Sequence, residues 1–490
     1  MRASGILLPI SSLPSPYGIG SLGLEAYQFI DFLKESKQKY WQVLPIVNTS
    51  FGDSPYQSVS TFAGGINYID LDILVDENYL KNSDVEGLKE EVNNVDYGKL
   101  YNNRYAVLKV AYNNFKQNIP NDYFLFEKEN KNWLFNFSLF MSIKKHFNEA
   151  PFNEWPKEFK LKEEEVINKF IEQYQEEINF WNFTQYIFFE QWYKLKLYAN
   201  ASGIKIIGDL PIYVAYDSSD VWGNPELFDL DENMNPYKVA GVPPDYFSKT
   251  GQLWGNPLYK YDVMKKDGYK WWIERLKHFN KIFDVIRLDH FRGFEAYYTI
   301  PYGEKTAING SWEKGPGMNF FNKVFEEIKD IDLIAEDLGF LTKEVYDLLE
   351  NTKLPGMKIM QFGFDVYGNS EHAPHNYKKH LIAYPGTHDN DTVLGWYRKL
   401  DDFTKQYVLE YLNISTENEI EIVDQFIRTI YATSANLIIV QLQDHLCLDN
   451  HARMNEPSTL GNNWKWRIKK EYLNKKLSTK IRKITEIYRR

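Results

Sequence analysis

The chain contains eight short apolar runs rich in β-branched residues, and most of them are separated by stretches with helical periodicity. The runs occupy residues 5–10, 40–46, 204–210, 283–289, 331–337, 356–362, 381–387 and 435–442. Amphipathic patterns lie between them, such as LEAYQFIDFLKES after the first run and YKWWIERLKHFNK before the fourth. This alternation predicts parallel strands joined by helical crossovers. Eight such strands can close into a (β/α)8 TIM barrel, an α/β fold. A doubly wound open sheet is the alternative.

Two stretches are longer than a minimal barrel requires. Residues 47–200 read as an insertion with a Lys-, Glu- and Asn-rich helical middle, and they end in a helical pattern that is apolar on nearly all sides. Residues 211–265 are rich in proline, glycine and aromatic residues, and long structured loops of this kind commonly carry function. We therefore predict a single catalytic barrel domain over 1–490. It carries an inserted, largely helical subdomain at 47–200 and an inserted loop subdomain at 211–265.

Composition narrows the classes of partner. Aromatic residues make up 16% of the chain, with 13 Trp and 35 Tyr. This content is equally typical of an aromatic-rich core and of a carbohydrate ligand, because the apolar faces of sugars stack on aromatic rings. The net charge of −10 argues against a nucleic acid or an anionic membrane as the main partner.

The single cysteine, Cys447, excludes an intrachain disulfide and a zinc site built from cysteines. No apolar run approaches the ~18 residues that span a bilayer. The first residues also lack the apolar core of a signal peptide. We therefore expect a cytoplasmic protein.

Two motifs could indicate a bound group, and neither fits. The segment GIGSLG at 18–23 has the spacing of a dinucleotide-binding loop, but two prolines separate it from the preceding strand and no acidic residue ends the second strand. His388, Asp389 and Asp391 could ligate a metal ion, but two of them are adjacent and no second histidine lies at helical spacing. We expect no cofactor and no metal site.

Four acidic residues stand at or just after the ends of predicted strands. Asp209 ends the third run, Asp289 the fourth, Glu336 lies near the end of the fifth, and Asp389 follows the seventh. A single aspartate in such a position is commonly a helix N-cap. Four acids on four strands are better explained by function, because all parallel strands of a barrel end on the face that holds its active sites.

Strand periodicity places Arg287 beside Asp289, because residues two apart point to the same side of a strand. A neighbouring guanidinium favours the ionised carboxylate, which suits a nucleophile. Glu336 has no adjacent cation, so a negative Asp289 nearby should raise its pKa and let it hold a proton. Glycoside chemistry uses such a pair. A buried ion pair that only stabilises the barrel is the alternative for Arg287 and Asp289.

Specific segments along almost the whole chain resemble the amylomaltase-type 4-α-glucanotransferases, barrel enzymes of the α-amylase clan that act on α-1,4-glucans. The matching segments are LLPISSLPSPYGIGSLG, GDSPYQSVSTFAGG, GDLPIYVAYDSSDVW, AGVPPDYFSKTGQLWGNPLY, VIRLDHFRGF, IAEDLG, PGTHDNDT and RMNEPSTLGNNWKWR. The resemblance implies a barrel with inserted subdomains and no separate C-terminal β domain.

The resemblance also implies a role for each matching residue. Asp289 is implied to be the nucleophile and Glu336 the general acid/base. Asp389 is implied to bind sugar hydroxyls and to stabilise the transition state. The other matching residues are implied to support the site or contact substrate: Ser54, Tyr56, Asp209, Tyr246, Phe247, Trp254, Arg287, His388 and Asn463. The 211–265 segment, which carries three of these aromatics, covers the cleft in this family.

The expected reaction moves α-1,4-glucan segments between maltooligosaccharides, which serve as donors and acceptors. It proceeds by a retaining double displacement through a glycosyl-Asp289 intermediate, and the carboxyl groups of Asp289 and Glu336 should lie about 5–5.5 Å apart. Two alternatives stay open: a hydrolytic α-amylase-like glycosidase with the same acids, and a glucan-binding protein without turnover. The sequence does not indicate an oligomeric state.

Overall fold

The computed structural model describes residues 2–49, 52–244, 248–366 and 368–490. These residues contain twelve β-strands, which are β1 Ala3–Leu7, β2 Tyr40–Gln42, β3 Lys205–Leu210, β4 Lys238–Val242, β5 Gln252–Pro257, β6 Val285–Leu288, β7 Ala296–Pro301, β8 Ser311–Lys314, β9 Leu333–Ala335, β10 Gly356–Ile359, β11 Leu381–Tyr384 and β12 Leu437–Gln441. Eight of them form one sheet, and each of those eight overlaps one of the eight predicted runs.

The large sheet has the order β10-β11-β12-β1-β2-β3-β6-β9, and all its pairs are parallel. β1 lies between β2 and β12, so the two ends of the chain meet inside the sheet. The outer strands also approach each other, because Ala335 N donates to Pro355 O at 3.0 Å. The sheet is therefore a nearly closed barrel. This confirms the predicted (β/α)8 TIM barrel and excludes the open doubly wound sheet.

The α-helices of the described ranges are Leu24–Glu35, Leu71–Asp76, Asn82–Val85, Tyr97–Phe115, Asn121–Glu129, Leu134–His146, Lys157–Lys160, Glu164–Ala201, Ser219–Gly223, Tyr261–Lys266, Lys270–Ile282, Gly317–Glu327, Lys343–Thr352, Val393–Lys399, Asp402–Leu412, Glu419–Ala432, Leu442–His445 and Lys475–Ile487. Within these ranges, no helix has both the length and the apolarity that crossing a bilayer requires.

The helix Glu164–Ala201 shows why a pattern apolar on all sides predicts a buried helix. It bends at Tyr174, whose φ of −115° and ψ of 22° interrupt the helical geometry. Beyond the bend, consecutive residues such as those at 183–189 are all buried, so nearly every face of the helix contacts protein. Gly203 follows with a φ of +78°, the left-handed conformation in which glycine commonly ends a helix.

A second, antiparallel sheet has the order β5-β4-β7-β8. β4 and β5 lie within 211–265, which the sequence indicated to be a loop region. β4 pairs with β7, which joins Lys238 to Pro301 and Gly241 to Tyr298. β4 therefore has one partner inside the segment, β5, and one partner outside it, β7. Local sequence alone does not reveal such a pairing, because the stability of a strand depends on what lies beside it.

Side chains along the barrel strands alternate between two apolar clusters. The cluster inside the barrel includes Leu7, Ile207, Val285, Ile334, Met357, Ile359, Ile382, Tyr384, Leu437 and Ile439. Neighbouring strand residues, among them Ile6, Ile206, Ile286 and Ala335, belong to the cluster that packs against the helices. This period of two determines which polar side chains face the barrel axis at the strand ends.

Candidate active site

Three neighbouring strands, β3, β6 and β9, bring the first acids together. β3 and β6 align Asp209 with Arg287. The parallel hydrogen bonding continues one residue past the strands. Asp289 N donates to the carbonyl of Leu210, the last residue of β3, at 3.0 Å, and Glu336 N donates to the carbonyl of Leu288, the last residue of β6, at 3.1 Å. Asp289 and Glu336 therefore leave adjacent strands at the carboxyl end of the barrel, the end at which TIM-barrel enzymes hold their active sites.

At the carboxyl end of the barrel, the side chains that face the axis change from apolar to polar. An interior apolar residue stands two positions before each of Asp209, Arg287 and Glu336, so strand periodicity turns all three side chains toward the same axis. Gly208 faces the other way. A Cβ atom at this position would lie 2.1 Å from the Phe283 ring, so only glycine lets β3 approach that ring closely enough.

Arg287 joins two carboxylates through one nitrogen. Its Nη1 donates to Asp209 Oδ1 at 2.6 Å and to Asp209 Oδ2 at 2.7 Å, and it donates to Asp289 Oδ1 at 3.0 Å. Tyr56 Oη donates to Asp209 Oδ2 at 2.6 Å. Asp209 is 0% exposed, so its carboxylate contacts protein groups and not solvent. The Asp209 carboxylate holds the side chains of Arg287 and Tyr56 in place through these hydrogen bonds.

The environment of Asp289 differs from the sequence expectation in one respect. The pKa of Asp289 is raised to about 7, first by burial and further by the charges of Asp209 and Asp389, although Arg287 lowers it. Arg287 favours the ionised carboxyl, and burial together with the two neighbouring carboxylates opposes this effect. Because the guanidinium is shared with Asp209, it does not offset the cost of burying the Asp289 charge.

The pKa of Glu336 is raised to about 8, first by burial and then by the charge of Asp289, while Arg287 and a backbone hydrogen bond oppose the rise. That hydrogen bond comes from His290 N, which donates to Oε2 at 2.6 Å. His290 has a left-handed backbone with a φ of 51°, a conformation that costs a non-glycine residue about 1–3 kcal/mol. The turn directs the His290 N–H at Glu336. The two acids therefore have different donors, a backbone N–H for Glu336 and a guanidinium for Asp289.

Asp389 enters the site on the loop after β11 and is held by the segment after β12. Asn455 Nδ2 donates to Asp389 Oδ1 at 2.6 Å, and Arg453 Nη2 donates to the Asp389 carbonyl at 2.6 Å. The Asp389 side chain is nevertheless 45% exposed. One carboxylate oxygen is therefore fixed while the group stays open to solvent. The sequence assigned no role to Arg453 or Asn455, although both lie in the RMNEPS part of the resemblance.

His388 forms an aromatic wall with two neighbours. Its ring stacks on Tyr56 with centroids 5.2 Å apart and an interplanar angle of 15°, and it lies 5.9 Å from the ring of Trp464. Burial lowers the pKa of His388, so the imidazole is neutral at neutral pH. His388 Nε2 is 3.4 Å from Asp389 Oδ1. The same rings thus link the 52–65 segment, the Asp389 loop and the C-terminal part of the chain.

The other predicted contacts fall into three groups. Trp254, from β5, meets the His290 ring edge-to-face at 4.9 Å and so reaches the acid cluster. Ser54 Oγ accepts a hydrogen bond from Tyr56 N at 3.2 Å and shapes the turn that carries Tyr56. Among the residues that the structure describes, the Asn463 amide bonds only within its own loop, to Glu456 and Thr459. The predicted stacking residues Tyr246 and Phe247 lie outside the described residues.

Asp391, on the same loop as Asp389, is bound by neighbouring side chains. Its Oδ1 accepts hydrogen bonds from Asn450 Nδ2 at 2.8 Å, Lys399 Nζ at 2.9 Å and Arg453 Nη1 at 2.6 Å. This oxygen is fully engaged by protein donors. Across the described ranges, no three His, Cys, Asp or Glu side chains are grouped so that they could hold a metal ion.

Comparison with known proteins decides the family. The sequence model described as 4-alpha-glucanotransferase matches residues 8–474. The chain belongs to the 4-alpha-glucanotransferase family. A 4-alpha-glucanotransferase from Clostridium butyricum is 48% identical over 487 residues, which is 98% of this chain and 99% of the relative. The 4-alpha-glucanotransferase from Thermus thermophilus is 43% identical over 494 residues, covering 99% and 98% of the two chains.

Solved structures agree with this family. The amylomaltase from Streptococcus agalactiae in complex with acarbose superposes with a TM-score of 0.97 at 43% identity and covers 100% of both chains. An amylomaltase from Corynebacterium glutamicum gives a TM-score of 0.80 at 16% identity, covering 99% of this chain and 75% of that one, which supports the fold alone. Both the predicted resemblance to the 4-alpha-glucanotransferase family and the predicted barrel are confirmed.

Proposed function

We propose that this chain transfers α-1,4-glucan segments between maltooligosaccharides through a covalent intermediate on Asp289. The observation that carries the proposal is a pair of carboxyl groups on adjacent strand ends, of which Asp289 accepts a hydrogen bond from Arg287. A retaining glycoside reaction uses one carboxylate to attack and one carboxylic acid to protonate the leaving oxygen. Membership of the 4-alpha-glucanotransferase family supports the substrate class.

In the first step, an ionised Asp289 oxygen attacks C1 of the donor glucan while Glu336 protonates the departing O4. The C1–O4 bond breaks as the ester bond to Asp289 forms, and the reducing-end fragment leaves with a new 4-hydroxyl. A pair that holds one proton carries it on Glu336, because Arg287 donates a hydrogen bond to Asp289 and favours the ionised form there. The His290 N–H occupies Oε2 of Glu336, which leaves Oε1 to deliver the proton.

In the second step, the 4-hydroxyl of an acceptor glucan attacks the same C1 and Glu336 removes its proton. Esterification has neutralised Asp289, whose negative charge is one cause of the raised pKa of Glu336. The pKa of Glu336 falls as a result, so the ionised form that the first step leaves behind is a stable base. An α-1,4 bond re-forms and Asp289 departs as a carboxylate. Bonds broken equal bonds made, and the cycle uses no cofactor.

Asp389 is proposed to bind sugar hydroxyls and to stabilise the transition state. Its exposure supports this role, and so does the Asn455 contact, which uses Oδ1 and leaves Oδ2 for substrate. His388, Tyr56 and Trp254 are proposed to contact sugar rings beside the acids. Ser54, Asp209, Arg287 and Asn463 are proposed to act mainly by positioning, because each bonds within the protein as described above.

The segment 211–265 is proposed to cover the cleft, with Tyr246 and Phe247 stacking on sugar rings. Such a cover disfavours water as the acceptor and holds a glucan in its place. The single catalytic domain over 1–490 and the helical subdomain at 47–200 belong to the same proposal. It also includes a cytoplasmic location and no nucleic-acid or membrane partner.

Incubation with maltotriose tests transfer against hydrolysis. Transfer predicts glucose and longer oligosaccharides at a constant concentration of reducing ends, because each broken bond is replaced. A steady rise in reducing ends would instead support the hydrolytic α-amylase-like enzyme. Unchanged maltotriose that still binds would support a glucan-binding protein without turnover.

A further inference from the structure

A cleft of about 290 Å³ lies outside the acid cluster, between the helices Leu134–His146 and Lys270–Ile282. We call it the helix-flanked cleft and define it by six lining residues, which are Phe62, Trp133, Asn136, Trp271, Glu274 and His278. None of the active-site residues described above lines it. Its size is near the lower end of the ~300–1,000 Å³ that small-molecule sites occupy.

The apolar part of the helix-flanked cleft is aromatic. Phe62, Trp133 and Trp271 each keep 8% of their surface exposed. The Phe62 and Trp133 rings are nearly parallel, at 11° with centroids 6.1 Å apart, and the ring of His278 meets both of them edge-on. Burial lowers the pKa of His278 to about 4, so it adds no charge at neutral pH. The aromatic part therefore carries no charge at neutral pH.

Several polar groups of the same cleft have no protein partner. The structure records no hydrogen bond or ion pair for the side chains of Asn132, Asn136 and Glu274 with any described residue. The two lysines at the cleft are engaged, because Lys277 pairs with Glu327 at 3.2 Å and Lys281 pairs with Glu129 at 3.1 Å. The cleft thus offers amide groups and one unpaired carboxylate without unpaired positive charge.

We propose that the helix-flanked cleft is a second carbohydrate site, which binds one or two glucosyl units of a neutral α-glucan. Hydroxyl groups donate to a carboxylate and both donate to and accept from amides, which matches Glu274 and the two asparagines. The apolar faces of a sugar match the aromatic rings. A phosphorylated ligand does not fit, because the only unpaired charge among the described lining groups is negative.

The site would hold a long glucan that also reaches the active site. Two contacts on one chain raise the effective concentration of substrate at the acids without altering the chemistry. Ser60 and Phe62 of the cleft lie on the segment that carries Ser54 and Tyr56, so the two sites share one part of the fold. The identity of the ligand rests on the proposed function, whereas the cleft itself can be tested by binding alone.

Kinetics with two substrates form the first test. Glu274→Ala is compared with Glu350→Ala, a matched change of an exposed glutamate on the helix Lys343–Thr352. Loss of a hydrogen bond to a charged group should raise KM for long-chain amylose about tenfold. We expect kcat and all maltotriose kinetics to stay unchanged, and Glu350→Ala to match the wild type on both substrates. Equal KM for amylose in all three proteins overturns the proposal.

Direct binding forms the second test and does not depend on turnover. In the inactive Asp289→Asn chain, titration calorimetry with maltotriose should detect two sites, and a soaked crystal should show sugar in the helix-flanked cleft. Adding Glu274→Ala or Asn136→Ala should leave one site. A single site in every variant, with an empty cleft in the crystal, refutes the second carbohydrate site. Failure of wild-type protein to redistribute maltotriose would instead refute the proposed function.

Discussion

The substitution Asp209→Asn removes a charge beside the proposed nucleophile and preserves the size of the side chain. In the native site, Arg287 Nη1 lies 2.6 Å from Asp209 Oδ1 and 3.0 Å from Asp289 Oδ1. Arg287 therefore divides its charge between two carboxylates, and the charge of Asp209 raises the pKa of Asp289. With an uncharged amide at position 209, Asp289 is the only carboxylate that still accepts a hydrogen bond from Arg287 among the described residues. We expect the pKa of Asp289 to fall.

The size of the fall follows from geometry. The two carboxylate oxygens contact the same nitrogen, so they are less than about 6 Å apart. Two unit charges at about 6 Å interact by roughly 2.8 kcal/mol at an effective dielectric constant of about 20. This energy corresponds to about two pKa units. The pKa of Asp289, which is about 7 in the native protein, should therefore approach 5 in the variant.

The assay is the pH dependence of kcat/KM for maltotriose, whose acidic limb reports the essential carboxylate of the free enzyme. We expect this limb to move to lower pH by up to about two units in Asp209→Asn. Tyr56→Phe is the control, because it removes the hydrogen bond to Asp209 and leaves the Asp209 charge in place. A limb that stays at its native position in Asp209→Asn, with the fold intact by thermal unfolding, would refute the shared-guanidinium argument.

Three further predictions concern the same acids. Asp289→Asn should lower transfer by roughly 10⁴-fold or more and leave the unfolding temperature near the native value; near-normal maltotriose redistribution would contradict the nucleophile assignment. Glu336→Gln should stabilise the fold at pH 8 relative to the wild type. The pKa of Glu336 is about 8 in the folded state and 4.5 ordinarily, so the folded state binds a proton that the unfolded state has released. The stability of the wild type therefore falls as the pH rises from 4.5 to 8, whereas glutamine does not titrate. The difference in unfolding temperature between Glu336→Gln and wild type should shrink toward pH 4.5, and a constant difference would contradict the raised pKa. Asn455→Ala should free Asp389 Oδ1 and lower kcat/KM about tenfold, whereas kinetics identical to wild type would show that the Asn455 contact is dispensable.

The barrel could be predicted from the sequence because its strands are short, apolar and separated by helical periodicity. The convergence of Asp289 and Glu336 followed from the same pattern, since parallel strands end on one face. The net direction of the Asp289 pKa could not be predicted in this way. The pKa is raised first by burial and further by Asp209, which lies opposite Arg287 through a register between two strands that are distant in sequence.

The remaining differences between the sequence predictions and the structure lie in irregular segments and in contacts between residues that are distant in sequence. β4 pairs with β5 inside its own segment and with β7 beyond it, and local sequence does not show the second pairing. Arg453 and Asn455 reach Asp389 from an irregular segment, where no periodicity indicates the direction of a side chain. The roles of Tyr246 and Phe247 stay predictions.

The place of β1 in the barrel has a consequence for synthesis on the ribosome. β1 pairs with β12, which aligns Ala3 with Leu437. On the nascent chain, β1 therefore has one unpaired edge until β12 is translated. Asp389 likewise lacks the hydrogen bonds from Arg453 and Asn455 until those residues are translated. A nascent chain stalled before these residues would lack both barrel closure and a fixed third acid, so activity should appear only after residues 437–455 have been translated.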